Sequence, residues 1–250
     1  MLNAPAGPTV ADLGERALIA RVAAALPAPG ASVAVGIGDD AAVVEPERGT
    51  LTAVTTDTVV DGVQVDRRFT PPSAIGHRAL AASLSELAAM GAVPRHALLS
   101  LGLPDAFPVA DLDALAKGVA ALAARHATAV VGGNVTRSTG PLFVEVTALG
   151  SVKRRRVLLR SAARPGDGLY LSGSIGGAAA GLDLLRSAAG AADAGDDELE
   201  ACRQRYLRPE PRVRLGRLLG RTRTARACVD LSDGLADALH QLAAASGAGA

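Results

Sequence analysis

Eight oxygen-bearing side chains fall at turns or at the ends of β-like and helical runs. They are Asp40 in "GIGDDAAVV", Thr55, Thr56 and Asp57 in "TTDTVVDG", Glu86 in "SLSELAAMGA", Asn134 in "VVGGNVTRS", and Asp230 and Asp233 in "VDLSDG". No His/Cys group has metal-ligand spacing, and Cys202 and Cys228 alone are too few and too far apart for a zinc site. Donors that are all oxygen select Mg²⁺ over Zn²⁺. Because Mg²⁺ keeps waters and shares its shell with substrate phosphates, a dispersed set of this kind points to a metal-nucleotide site.

Taken singly, each stretch has a plainer reading. Asp39 and Asp40 point to opposite faces of a strand, and Gly36 and Gly38 fit an exposed turn as well as a site. Thr55 to Asp57 could close an Asx or ST turn, Glu86 could be the solvated flank of a helix, and Gly132-Gly133-Asn134 could be an ordinary turn. Ser232 or Asp233 would serve as the N-cap of the helix that follows, whereas Asp230, behind "ACV", lies near the buried end of a strand and needs a partner. Other chemistries find no support. There is no G-x-x-x-x-G-K-[ST] loop and no G-x-S-x-G elbow, "SGSIGGAAAG" lacks dinucleotide-turn spacing, and the four histidines have no triad context.

The elements that must position these groups follow from periodicity. Apolar spacing predicts a first helix in "ADLGERALIARVAAALP", entered through Asp12 and Glu15 at capping-box spacing, a second over 73–90 closed by Gly91, and a third over 111–126. β-like runs occur at 33–37, 41–44, 51–55, "HALLSL", 128–131 and 142–150. A basic, then turn-forming stretch at 151–168 marks a boundary. Beyond it "LYLSGSIGGAAAGLDLL" and "ACVDLSDGLADALHQLAAASG" each read as strand, turn, helix around a polar loop at 188–198. We expect an N-terminal α+β domain over 1–150, its mixed or antiparallel sheet carrying helices, and an α/β domain over 151–250. Two strand-helix units make a thin domain, so the natural chain is expected to continue past residue 250.

Composition narrows the partners. A net charge of +1 gives no global field for nucleic acid, and no Trp, two Tyr and three Phe leave no platform for stacking bases. No apolar run would span a bilayer, and the first residues lack an export pattern, so a cytoplasmic location is expected.

Together, "GIGDDAAVV", "TTDTVVDGV", "GHRALAASLSELAAMGA", "VVGGNVTRS", "LRSAARPGD" and "VDLSDGLADALHQLAAASGAGA" resemble the thiamine-monophosphate kinase family, in order and spacing, from Gly14 onward. The wider aminoimidazole ribonucleotide synthetase-like superfamily shares the fold without this combination of blocks. The resemblance implies a homodimer binding ATP between its domains, with Asp40, Thr55, Thr56, Asp57, Asp230 and Asp233 as magnesium ligands and Gly133, Arg160 and Ser232 as nucleotide contacts. Three positions depart from the family pattern: Glu86 and Asn134 each replace an Asp, and Gln64 replaces a His that contacts thiamine phosphate. The implied reaction transfers the ATP γ-phosphoryl group to thiamine monophosphate. The phosphate nucleophile is already ionised and requires no general base, and Arg160 neutralises charge, with Arg137 either assisting or held in a surface salt bridge. The departures keep two alternatives open: another ATP-dependent synthetase or ligase of the superfamily, or a truncated, non-catalytic nucleotide-binding dimer.

Overall fold

The computed structural model describes residues 7–187 and 197–248. A four-stranded sheet has the order β3 (Leu51–Val60), β6 (Phe143–Val152), β4 (Val93–Pro104), β5 (Ala129–Ser138). β4 and β5 are parallel, with Ser100 opposite Asn134. Thr56 faces Thr147 and the Asp61 N–H reaches the Leu142 carbonyl, so β3 and β6 run in opposite directions. A short antiparallel pair, β1 (Val33–Val35) and β2 (Val43–Val44), flanks the glycine-aspartate turn. By packing, the chain divides into two units, one of residues 1–46, 56–83 and 95–148, the other of 47–55, 84–94 and 149–250.

In the first unit the core is aliphatic. α1 (Glu15–Ala25), the start of α2 (Pro72–Ala89) and α3 (Val109–Arg125) turn Leu18, Ile75, Leu80, Leu112, Leu115 and Leu122 inward. Each large side chain so buried contributes about 1.5–3 kcal/mol. Pro72 suits the first helical position because it has no N–H to leave unbonded. α2 and α3 cross in backbone contact: a Cβ on Gly118 would sit 2.0 Å from the Ser73 carbonyl oxygen, and one on Gly76 would sit 2.2 Å from that of Leu115.

The second unit holds α4 (Gly177–Arg186), α5 (Asp197–Leu207), α6 (Val213–Thr222) and α7 (Leu235–Ser246). α4 packs on α5 where Gly181 meets the Cys202 carbonyl. Among the described residues no helix is long and apolar enough to cross a membrane.

The structure departs from three local expectations. Asp12 does not open α1: its carboxylate accepts the Thr9 N–H (2.7 Å) and hydroxyl (2.9 Å), capping a preceding 3-10 turn, and α1 starts at Glu15 behind Gly14. "LYLSG" forms no strand, with Tyr170 93% exposed. "ACVDL" makes a single parallel bridge, Leu159 to Ala227. A strand needs a neighbour along its length for its ladder, and beyond that single bridge neither segment has one among the described residues. Most of the polar loop expected at 188–198 lies outside them; Asp197 and Glu198 begin α5.

Two predictions follow from this packing. Helix propensity alone would make Gly118→Ala stabilising by about 1 kcal/mol, but the backbone collision makes it an overpacking change costing roughly 1–3 kcal/mol. The expected outcome is a lower denaturant midpoint, and a higher one would reject the close crossing. Buried His96 lies with Nε2 3.1 Å from the Ser32 hydroxyl, and burial, then the Arg95 charge, lowers its pKa from about 6.5. The unfolded chain therefore takes up the proton first, so this contribution is complete above about pH 6.5 and declines as pH falls toward the folded-state pKa. His96→Gln should flatten that acid-side loss in urea titrations.

Candidate active site

The first unit carries Asp40, Thr56, Asp57, Gln64, Gly133 and Asn134; the second carries Thr55, Glu86, Arg160, Asp230, Ser232 and Asp233. In the first, the Asp39 carboxylate folds back onto the Asp40 N–H at 2.8 Å, and Asp40 stands exposed with its own carboxylate unengaged among the described residues. This resolves the two adjacent acids of "GIGDD": Asp39 shapes the turn and Asp40 is presented by it. Asp57 is half-buried on β3 and accepts the Thr58 N–H at 2.7 Å, and the Thr56 hydroxyl lies 3.1 Å from that of Thr147.

Gly133 is held at φ 151°, and a Cβ there would come within 1.8 Å of the Leu99 carbonyl oxygen on β4. Only glycine lets β5 lie this close, and the next residue, Asn134, is exposed on the strand. Gln64 closes the turn after β3: its side-chain carbonyl accepts the Val60 N–H at 2.9 Å, which leaves its amide N–H groups for any ligand. Arg137 takes the salt-bridge alternative. Its guanidinium grips Asp105 through two bonds, Nε to Oδ1 at 2.7 Å and Nη2 to Oδ2, and holds that carboxyl below its ordinary pKa.

In the second unit the Thr55 hydroxyl donates to the half-buried Glu86 carboxylate. Glu86 is thus more than a solvated flank, and the pair joins two sequence-distant donors. Arg160 sits exposed on a 3-10 turn, Arg160–Ala162, whose backbone is tied at both faces to Ser246. The Ser246 hydroxyl donates to the Arg160 carbonyl (2.8 Å) and accepts the Ala163 N–H (3.2 Å). No sequence signal marks Ser246 for this role.

The Leu159–Ala227 bridge, with the Cys228 N–H on the Leu159 carbonyl at 3.1 Å, sets two extended segments side by side. Arg160 follows Leu159 directly and Asp230 follows Ala227 by three residues, so the bridge joins the two segments that carry them. They form no ion pair, and Asp230 Oδ2 is buried without a hydrogen-bond partner among the described residues. Ser232 donates weakly to Asp233 at 3.3 Å, and neither caps α7, whose N-cap is Gly234. Asp233 is exposed.

The donor set fits a magnesium ion in chemistry: carboxylate, hydroxyl and amide oxygens, with one carboxylate oxygen left without a partner among the described residues. Among the described residues no three His, Cys, Asp or Glu side chains are grouped as a metal cluster.

Residues 38–152 match the family of the AIR synthase related protein, N-terminal domain, and the architecture is the AIR synthase-like fold of mixed sheet and helices. The thiamine-monophosphate kinase of Escherichia coli strain K12 is 39% identical over 241 residues, 95% of this chain and 70% of that protein. The crystal structure of thiamine-monophosphate kinase from Stenotrophomonas maltophilia K279a is 40% identical with a TM-score of 0.79, covering 94% of this chain and 73% of that one. AaThiL complexed with AMPPCP and TMP is 34% identical with a TM-score of 0.72, covering 84% of this chain and 65% of that one. The chain belongs to the thiamine-monophosphate kinase family, whose members are ATP-dependent phosphotransferases. It spans about two thirds of the length of the curated relatives it matches.

Gly133→Ala tests the strand geometry behind Asn134. Strain at a positive φ together with the collision at Leu99 should cost roughly 2–4 kcal/mol. A lowered melting temperature with shifted Asn134 amide signals is expected, and an unchanged spectrum would refute the close approach.

Proposed function

We propose that the chain transfers the γ-phosphoryl group of ATP to thiamine monophosphate, giving thiamine diphosphate and ADP, as a magnesium-dependent cytoplasmic homodimer. In this reading residues 1–150 form the ATP-, magnesium- and dimer-forming domain, and 151–250 form the C-terminal domain. One observation carries it: an Asp230 oxygen buried without a partner among the described residues, on a segment bridged to the one that leads into Arg160. A desolvated carboxylate without a donor is costly unless a cation or proton meets it. The ligands named for AaThiL, AMPPCP and TMP, supply the chemistry to which this site is matched.

Asp40, Asp57, Asp230 and Asp233 would hold magnesium, with Thr55, Thr56, Glu86 and Asn134 supplying further oxygens. When bound, the ion neutralises phosphate charge and orients the triphosphate. Gly133 allows the backbone close to the nucleotide, Ser232 offers a hydroxyl to it, and Arg160 neutralises phosphate oxygens as the Pγ–O bond to ADP breaks. An oxygen of the acceptor phosphate forms the new bond and is already ionised, so the site needs no base. Gln64, its carbonyl fixed on Val60, would turn its amide N–H groups toward the acceptor.

Incubation with ATP, Mg²⁺ and thiamine monophosphate should yield thiamine diphosphate and ADP in equal amounts. Asp40→Asn should slow turnover by about 10²-fold or more, and Asn134→Asp should raise magnesium affinity. ADP formed only with a different acceptor would move the assignment to a synthetase or ligase. Nucleotide binding without product would leave a non-catalytic module.

A further inference from the structure

A second concentration of charge lies within the second unit. Lys153, Arg154, Arg155, Arg156, Arg221 and Arg223 line a single cavity of about 430 Å³. None of the residues assigned above to ATP, magnesium or acceptor lines it. Six of the chain's 26 Lys and Arg residues gather here in a protein of net charge +1. Elsewhere guanidinium groups meet carboxylates, as in Arg21–Asp113, Arg68–Asp66 and Arg137–Asp105. These six form no ion pair among the described residues.

The cations are brought together by backbone packing. Lys153 to Arg156 leave β6 as a 3-10 turn, closed by the Arg156 N–H on the Lys153 carbonyl at 2.7 Å. Arg221 lies in the last turn of α6, and Arg223 follows in a left-handed conformation with φ 56°. A Cβ on Gly220 of α6 would lie 2.6 Å from the Arg156 carbonyl oxygen, and one on Gly91 would lie 2.9 Å from the same atom. Two glycines thus let the arginine turn sit directly on its neighbours, and the Leu158 N–H ties it further to the Met90 carbonyl at 3.2 Å. Attraction of the α6 C-terminus for cations accounts for Arg221 and Arg223. It does not account for the four beyond them, which add only mutual repulsion until an anion is present.

We propose that this cavity binds a small polyphosphate, a di- or triphosphate chain held directly by guanidinium groups. Its volume lies within the range of small-molecule sites and far exceeds one inorganic phosphate. Arginine forks match phosphate oxygens two at a time. The lining contains no aromatic ring for stacking a nucleic-acid base and no apolar side chain for a lipid tail. The inference is independent of the proposed kinase activity.

The test is calorimetric titration of the full chain with inorganic tripolyphosphate in the absence of Mg²⁺. Saturable binding is expected, weakening roughly tenfold as salt rises to about 0.3 M. The pair of reversals Arg155→Glu and Arg221→Glu should weaken it by about 30-fold or more, since each replaces a charge-assisted contact by a repulsive one; Arg160→Ala should leave it unchanged. Should the double variant fold poorly, protection of Arg154 and Arg155 from phenylglyoxal by tripolyphosphate gives the same answer on the unaltered chain. Displacement by ATP would assign the pocket to a nucleotide's phosphates, and its failure to displace would assign it to the free chain. Absence of saturable binding, binding indifferent to the reversals, or orthophosphate bound as tightly as tripolyphosphate would overturn the proposal.

Discussion

Backbone brought against backbone without an intervening Cβ is the constraint on which the positions of the functional groups depend. Gly76 and Gly118 let α2 and α3 touch, Gly133 lets β5 lie on the Leu99 carbonyl, and Gly220 seats the arginine turn on α6. In each case the nearest atom is a main-chain oxygen, which cannot swing aside as a flexible side chain can. A methyl group therefore has to displace a whole element. Such contacts transmit position without tolerance, so Asn134 and Arg156 are placed by the sheet and helices that carry them.

Charge is distributed with a corresponding contrast. Arginine is abundant and closes several surface carboxylates: Arg21 on Asp113 and Arg137 on Asp105 hold those acids below their ordinary pKa. Asp40, Asp230 and Asp233 are left outside these pairs. Asp39 and Asp57 turn back to the main-chain N–H groups of the residues that follow them, Asp39 in a turn and Asp57 within β3. These three acids are among those the family resemblance assigns to metal, and Asp230 has an oxygen that is buried without a partner among the described residues.

Helices were legible because burial repeats with their own period. The second and third, expected at 73–90 and 111–126, are found at Pro72–Ala89 and Val109–Arg125. Strand ends were less legible. β3 runs on to Val60, five residues past the expected end, through Thr56, Asp57 and Thr58, three successive polar residues at which the apolar signal stops. "LYLSG" shows the opposite failure, an alternating pattern without a partner to pair with. Partnerships between distant residues left no trace in the sequence. Thr55 with Glu86, Ser246 with the Arg160 loop, and Arg154 with Arg221 are separated by 31 residues or more and meet only through the fold.

The two anion sites embody different ways of holding phosphate. Where acids and one arginine converge, as proposed around Asp230 and Arg160, the protein is attractive to phosphate only after a dication has reversed the local sign of charge. Where six cations converge without an acid, attraction is immediate and rests on charge that ordinary salt screens. The first arrangement favours a ligand that arrives with its metal and must later be released, which suits turnover. The second provides no group that could activate a nucleophile or hold a leaving group in line, so what it can supply is occupancy. Guanidinium groups massed on a turn seated against α6 and the Gly91 backbone therefore define a place where a polyphosphate is held and not transformed.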